Sequence, residues 1–436
     1  MRIAKSALID PERNEIYGMA AVALSFFVFA YSSRFGQISV LAYYGMWLPL
    51  VVVDYRRVLG NYPRYLWIFA FGILTVLSSF WSEAASVTMR ASIQYMTHIV
   101  CALIAMRVIS IRTLTRGALI GIAVVLLYSL LFGIYLFDAL DGTYSFVGAF
   151  SSKNQLGFYA SLGVIFAAAS VLVLKQRGIW LPIAGVTGLL SAYSLLASQS
   201  ATSTITTAAV VALIIGFIPI GMLSPANRKM TFFALGGLGA LLAVASLQFG
   251  LLDAILGIFG KDSTLTGRTY LWQQGIEAAK QTPILGVGYQ GFWVAGFPDA
   301  ERLWNDFFIT GRSGFHFHNT YIETVVENGF VGMLLLGMVL YGTLLGHLRS
   351  VLMRKSDPQG VILFAICALF VVRSFVEIDI IFPYQIGSFL LYFAAGKLCL
   401  PARAAEGSVH LTGVRGGFSL RHSGLEPESS QPKSLG

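Results

Sequence analysis

The sequence predicts an all-α integral membrane protein, on three observations. Apolar runs of about 20 residues recur through most of the 436-residue chain, and a run of that length crosses a bilayer as a helix. Charged residues make up 12% of the chain and hydrophobic ones 56%, with a mean hydropathy of +0.72, whereas a soluble domain carries about 25% charged residues. Positive charge also gathers in alternate short loops, the bias by which membrane proteins set their orientation. This composition excludes a soluble enzyme, a disordered chain and a nucleic-acid binder, although the formal net charge is +9.

Twelve spans are expected, at residues 17–33, 36–53, 65–80, 91–106, 117–137, 154–174, 178–197, 203–223, 230–251, 330–348, 359–376 and 380–398. The first follows a polar N-terminal segment, residues 1–16, and reads as an uncleaved anchor because no small-residue cleavage site follows it. With both termini cytoplasmic, the inner loops hold Arg56, Arg57 and Arg64, Arg107, Arg112 and Arg116, Lys175 and Arg177, Arg228 and Lys229, and Arg349, Arg354 and Lys355. The short outer loops hold only Arg34, Arg90 and Lys153. Cys101, Cys367 and Cys399 lie in or at the ends of apolar runs without C-x-x-C spacing, so neither a disulfide framework nor a metal site is expected. The expected organisation is spans one to nine over 17–251, a large outer loop over 252–329 and spans ten to twelve over 330–398. The tail, 399–436, is rich in Gly, Ser and Pro and is expected to be a disordered cytoplasmic extension.

A loop as long as 252–329 is unusual, and such loops tend to carry function. Residues 267–281 predict an amphipathic helix with Arg268, Trp272, Ile276 and Ala279 along one stripe, stopped by Pro283. Residues 299–310 predict a second, with Asp299 as N-cap and Leu303, Trp304, Phe307 and Phe308 forming an apolar face suited to the membrane interface. Between them, Gly286, Gly288 and Gly291 spell G-x-G-x-x-G, but no βαβ unit surrounds it and a dinucleotide site is not expected. His316, His318 and Asn319 then enter a helix that carries Glu323 and Glu327 on one face. The two histidines read as interfacial hydrogen-bonding groups, and the two glutamates as a solvated face. An H-x-H metal pair would need a third ligand that nothing obvious supplies.

Other polar groups are expected on the same outer side. Arg90 begins span four, Lys153 and Asn154 open span six, and a serine-rich turn joins spans seven and eight. Arg373 lies inside span eleven near its outer end, where an arginine marks function or a buried pair, and Glu377 is its i,i+4 partner. Cations at the headgroup level suit an anion such as a diphosphate, because the guanidinium fork pairs with phosphate oxygens. Tyr270, Trp272, Tyr289, Trp293 and Trp304 either stack on sugars or form an ordinary interfacial belt.

The order of motifs resembles the O-antigen ligase and surface-polysaccharide (exopolysaccharide, O-antigen) polymerase family of bacteria. These motifs are S-S-F-W-S (Ser78–Ser82), S-K-N-Q-L-G (Ser152–Gly157), G-R-x-x-x-W (Gly267, Arg268, Trp272), P-x-x-G-x-G (Pro283, Gly286, Gly288), H-N-T-Y-I-E from His318, and N-G-x-x-G (Asn328, Gly329, Gly332). The resemblance implies a glycosyltransferase of lipopolysaccharide or exopolysaccharide biosynthesis, working at the outer face of the bacterial inner membrane without a bound metal or cofactor. Its donor would be an oligosaccharide on a polyprenyl diphosphate such as undecaprenyl diphosphate, and its acceptor a glycan or glycolipid hydroxyl, with membrane lipids and other polysaccharide-assembly proteins as partners. By matching motif, His318 would assist the acceptor hydroxyl and Arg268 hold the donor diphosphate. Arg90 and Lys153 fit beside their motifs as further diphosphate contacts, and Asn319, Trp272 and Arg373 as supporting residues. The turn after span seven often carries a basic residue in this family, and here S-Q-S-A-T-S has none.

Three functions compete. A polymerase joins lipid-linked repeats, a ligase moves a finished glycan to a lipid A-core or other terminal acceptor, and a transporter or flippase moves lipid-linked glycan across the membrane. The motifs lean to the polymerase. A transporter should show interrupted helices and ionisable groups at the midplane, whereas here the polar groups gather at the outer face and His98 is the main exception. Topology supplies the first test. Cysteine introduced at Trp293 should label from outside intact cells and cysteine at Arg354 only after the inner face is opened; the reverse pattern would invert the orientation.

Overall fold

The computed structural model describes residues 4–60, 62–138, 143–249, 257, 267–312, 314–354 and 356–400. Residues 401–436 of the tail expected to be disordered, residues 250–251 at the end of the expected ninth span, and residues 252–256 and 258–266 of the long loop lie outside the described residues. The chain to Leu400 forms one compact unit. In order it folds as α1 (Ser6–Ile9), α2 (Ile16–Trp47), α3 (Pro49–Val53), α4 (Tyr55–Leu59), α5 (Leu66–Leu77), α6 (Ala85–Val108), α7 (Ile111–Phe132), β1 (Ile134–Asp138), β2 (Thr143–Gly148), α8 (Lys153–Ala168), α9 (Trp180–Ala197), α10 (Ala201–Met222) and α11 (Pro225–Gln248). The second half continues with α12 (Arg268–Gln281), α13 (Pro298–Asp306), α14 (Thr320–Met353), α15 (Pro358–Arg373) and α16 (Ile386–Leu398). Among the described residues nine helical stretches are long and apolar enough to cross a membrane, and α15 and α16 are shorter apolar helices. The protein is a multi-pass helical membrane protein.

Four elements depart from the expected spans. The first two expected spans join into α2, which bends where Tyr31 and Gly36 leave helical geometry, Gly36 at φ +66°. The fifth span stops at Phe132, and the apolar residues after it enter an antiparallel hairpin, β1 with β2. Alternating aromatics fit a pleated ribbon better than a helix here, and Tyr135 stacks on Tyr144 at 5.7 Å across the strands. The last span shortens to 13 residues in α16. Ahead of it Pro383 lacks an N–H, Tyr384 sits at φ +58°, and the Gln385 side chain holds the loop through Phe382 N and Ile378 O at 3.1 and 2.9 Å. In the long loop, α13 opens at Pro298 with Phe297 as its cap, so Asp299 lies inside the first turn instead of capping it.

The apolar face of α13 also turns inward. Leu303 and Trp304 pack with Leu271, Phe292, Ala300, Phe317 and Val326 into a small core of the loop's own, while Phe308 is left 88% exposed. The buried side of α12 is Leu271 and Gly275, and Ile276 of the expected stripe faces out. Gly275 is where Phe317 and Ile322 press closest, since a Cβ there would meet the Ile322 side chain at 2.5 Å.

This loop core docks on α14 through the glycine motifs. Gly329, at φ +65°, interrupts α14, and the freed backbone groups pair with the P-x-x-G-x-G segment. Phe330 N donates to Pro283 O at 2.8 Å, Val287 N to Val326 O at 3.0 Å and Gly288 N to Glu327 O at 2.8 Å. The approach is too close for side chains: a Cβ on Gly329 would lie 2.1 Å from Ile284 O, and one on Gly288 2.4 Å from Ser82 of the S-S-F-W-S motif. Gly329→Ala is therefore expected to destabilise the protein by roughly 1–3 kcal/mol, through strain at a positive φ and the clash with Ile284. Gly236→Ala, on α11 with open space around it, should leave the melting temperature in detergent unchanged or slightly raised. Equal melting of Gly329→Ala and wild type would refute this account of the motif.

Candidate functional site

Three chain segments meet at the loop-bearing end of the bundle: the start of α12, the start of α14 and the turn after α15. Gly267 takes φ +82° immediately before α12, and Arg268 leaves the first helical position toward the turn after α15. There its Nη1 donates to Val376 O at 2.6 Å and its Nη2 to Glu377 Oε1 at 2.9 Å. At the start of α14 the Asn319 side chain caps the helix by accepting from Tyr321 N and Ile322 N at 3.0 and 3.1 Å. Its Nδ2 donates to Phe375 O at 2.8 Å, and Thr320 joins the same turn through Ser374 O and Glu377 O at 2.9 and 2.7 Å. The H-N-T motif is thus stitched to residues 374–377.

His318 adopts φ +50°, a left-handed conformation that its flanking contacts enforce. It brings Nδ1 to 3.5 Å from Glu377 Oε2, an ion-pair distance longer than a hydrogen bond. One carboxylate therefore faces Arg268 on one oxygen and His318 on the other. Burial alone would push the Glu377 carboxyl up, but Arg268, then His318 and Arg373, outweigh it and hold it well below the usual carboxylate range. A depressed folded value means that Glu377 contributes stability in full above the ordinary glutamate pKa of 4.5, and loses it only as the pH falls through that lower value.

Arg373 has a different partner from the one expected. α15 ends at Arg373, so Glu377 no longer continues its helical face and swings toward Arg268. Arg373 instead pairs with Asp379, Nε to Oδ2 at 2.6 Å, and donates from Nη1 to Ser203 Oγ at 2.9 Å while lying 4.5 Å over the Phe158 ring. Burial raises the Asp379 carboxyl above its usual value, with Arg373 offsetting part of the rise. Ser200 Oγ lies 3.0 Å from Ser203 Oγ and donates to Asn154 Oδ1 at 2.9 Å. The S-K-N-Q-L-G motif and the serine turn are thus tied to Arg373, and Gly157 permits it, since a Cβ there would lie 2.6 Å from Ser203 Oγ.

The remaining expected residues divide. Trp272 braces the H-F-H segment by donating from Nε1 to Phe317 O at 2.9 Å. Lys153 is buried at the start of α8, beside Asn154. Arg90 is exposed on α6. Glu323 and Glu327 are 0% and 1% exposed, so the solvated-face reading fails: Glu327 lies where its backbone carbonyl accepts from Gly288 N, and Glu323 lies against His316 and Phe317, both against the loop and not in water. Glu323 accepts from His316 Nδ1 at 2.8 Å and Phe317 N at 2.9 Å. Each histidine therefore has its own carboxylate, and among the described residues no group of three or more His, Cys, Asp or Glu is placed to hold a metal ion. Sequence reasoning missed the linking role of Glu377 and the part played by Asp379. The only available signal was E-x-D directly after an apolar helix in a chain poor in acids.

Chemically, the arrangement offers guanidinium N–H groups, a histidine backed by a charged carboxylate, and half-buried aromatics, all at the loop-bearing end of an apolar bundle. The family model described as O-antigen ligase matches residues 186–337, a stretch that contains Arg268, His316, His318 and both glycine motifs. Over 403 residues, 92% of this chain and 93% of the relative, the sequence is 62% identical to the exopolysaccharide production protein ExoQ of Rhizobium meliloti (strain 1021). With most of its length matched at that identity, the chain belongs to the O-antigen ligase family, alongside the exopolysaccharide production protein ExoQ.

Proposed function

We propose that this protein is a glycosyltransferase of exopolysaccharide assembly. It would span the bacterial inner membrane twelve times, with the long loop in the periplasm and both termini in the cytoplasm. There it would move a glycan from a polyprenyl-diphosphate carrier to a sugar hydroxyl. The observation that carries this reading is the sharing of Glu377 by Arg268 and His318, a donor-holding group and a base on one buried carboxylate. Arg268 uses two N–H groups on Val376 and Glu377, and a guanidinium has five, which leaves others for the diphosphate. Lys153 and Arg90 are the further cations proposed for it. Arg373 is 1% exposed and engaged with Asp379 and Ser203, which suits it to anchoring the turn.

The transfer follows from these parts. The acceptor oxygen attacks the anomeric carbon, the bond from that carbon to the diphosphate oxygen breaks, and polyprenyl diphosphate leaves with its charge balanced by arginine and lysine. The acceptor proton passes to His318 Nε2, while Nδ1 faces Glu377, the orientation a base needs. The name of the 62% identical relative, an exopolysaccharide production protein, favours joining lipid-linked repeats. The family description, O-antigen ligase, supports transfer to a terminal acceptor as the second reading. Profiling lipid-linked glycans after gene deletion separates the two: single repeats on the carrier indicate a polymerase, long unattached chains a ligase.

Purified protein in detergent should consume a polyprenyl-diphosphate oligosaccharide, an outcome a pure transporter cannot give. His318→Ala is expected to lose transfer by about 10²–10⁴-fold while still binding donor. Arg268→Lys keeps the charge but loses the fork and should be impaired, Arg268→Ala more so. Unchanged turnover in His318→Ala, or full output from Arg268→Ala at equal protein level, would remove that residue from the proposed site.

A further inference from the structure

Outside the Arg268–Glu377–His318 group, Glu323 in the first turn of α14 forms another ionisable pair, with His316 just ahead of the helix. Glu323 is fully buried, and a buried carboxylate is costly unless paired. Its two oxygens are taken by His316 Nδ1 at 2.8 Å and Phe317 N at 2.9 Å. This sets the imidazole: with a carboxylate as its partner, Nδ1 carries the hydrogen toward Glu323, and Nε2 has no hydrogen-bond partner among the described residues. The His316 side chain is nevertheless 31% exposed, so a ring held this firmly still presents an edge.

Its surroundings suit a sugar. The His316 ring lies 4.9 Å from Phe382 and stands edge-on to Trp293 at 6.3 Å, with Phe315 at 5.3 Å from Trp293. Small-molecule sites combine such aromatic walls with a few fixed polar groups. Phe317, between the two histidines, is 0% exposed, and its backbone is tied at both ends, N–H to Glu323 and O from Trp272 Nε1. The two imidazoles are therefore held at a fixed spacing, and both meet the loop after α15, His318 at Glu377 and His316 at Phe382. One stands beside the arginine proposed for the donor; the other stands among aromatics.

We infer that His316, oriented by Glu323, is an acceptor-binding residue that hydrogen-bonds a hydroxyl of the incoming sugar while Trp293 and Phe382 flank its ring. The inference deepens the transferase reading and rests on it. A transferase must align two substrates, and one rigid H-x-H segment would supply both stations: base at His318, acceptor grip at His316. Glu323 acts through His316 and the Phe317 N–H that it holds, and is a positioning residue.

The test uses the full-length protein in detergent, a saturating polyprenyl-diphosphate oligosaccharide donor and a varied soluble oligosaccharide acceptor of the same repeat. His316→Gln should raise the acceptor KM about tenfold, the loss of one good hydrogen bond, with kcat and donor binding little changed. Glu323→Gln should raise the acceptor KM in the same direction, with folding checked by elution profile and melting. A fall in kcat at unchanged acceptor KM, or no change in either constant for His316→Gln, overturns the inference. If wild type transfers nothing, the transferase reading fails instead, and equilibrium binding of the soluble oligosaccharide decides the matter. Weaker binding to His316→Gln supports the inference, and equal binding overturns it.

Discussion

Burying the Glu377 carboxylate is the constraint around which the loop-bearing end of this protein is organised. Glu377 sits in the turn after α15, at 8% side-chain exposure, where an unpaired charge would cost several kcal/mol. The bundle element that carries it supplies only part of the compensation. Arg268 and His318 come from the long loop and from the approach to α14, so the loop must dock before the charge is balanced. Buried ion pairs contribute little net stability compared with apolar packing, yet breaking one is costly. Their best use is to fix a register, and here the register is that of loop upon bundle.

A second device makes that docking exact in position. The P-x-x-G-x-G and N-G-x-x-G motifs are two halves of one backbone joint, in which the interruption of α14 at Gly329 frees groups that residues 283–288 take up. Glycine is needed on both sides because each backbone lies where the other's Cβ would be. The Arg373–Asp379 pair does the same for the turn after α15, holding it against α8 and α10 through Ser203, Ser200 and Asn154. Motifs scattered over some 250 residues of sequence therefore converge on two adjoining joints: Arg268, Asn319, Thr320 and Ser203 bind the end of α15 and the turn after it, and the glycine motifs and Ser82 seat the loop on α14.

Local features were legible from the sequence, and pairings across the chain were not. Period and Pro283 place α12, because both act within a few residues. The apolar run after Phe132 reads as more helix, since hydrophobicity alone does not separate a helix end from a strand; the alternating aromatics were the missed signal. Spacing put Glu323 and Glu327 on one face but could not say which surface that face meets, and it meets the loop. Arg373 was matched to Glu377 by the i,i+4 rule, which holds only while the helix continues, and α15 ends at Arg373. The true partner of Glu377 lies 109 residues away at Arg268, a distance over which pattern carries no information. Motif resemblance proposes His318 and Arg268 as site residues, and the carboxylate that both of them face is visible only in the fold.

The central claim is that Glu377 and His318 work as one unit, and a double-mutant cycle on the transfer rate tests it most directly. Single-turnover transfer from a saturating lipid-linked donor is measured for Glu377→Gln, His318→Ala and the pair, each at matched folded yield. Residues that act as a unit are not additive. The account predicts that Glu377→Gln slows the otherwise wild-type protein but adds no further loss once His318 is alanine. If the two losses multiply, Glu377 acts independently of His318 and the proposed unit does not exist.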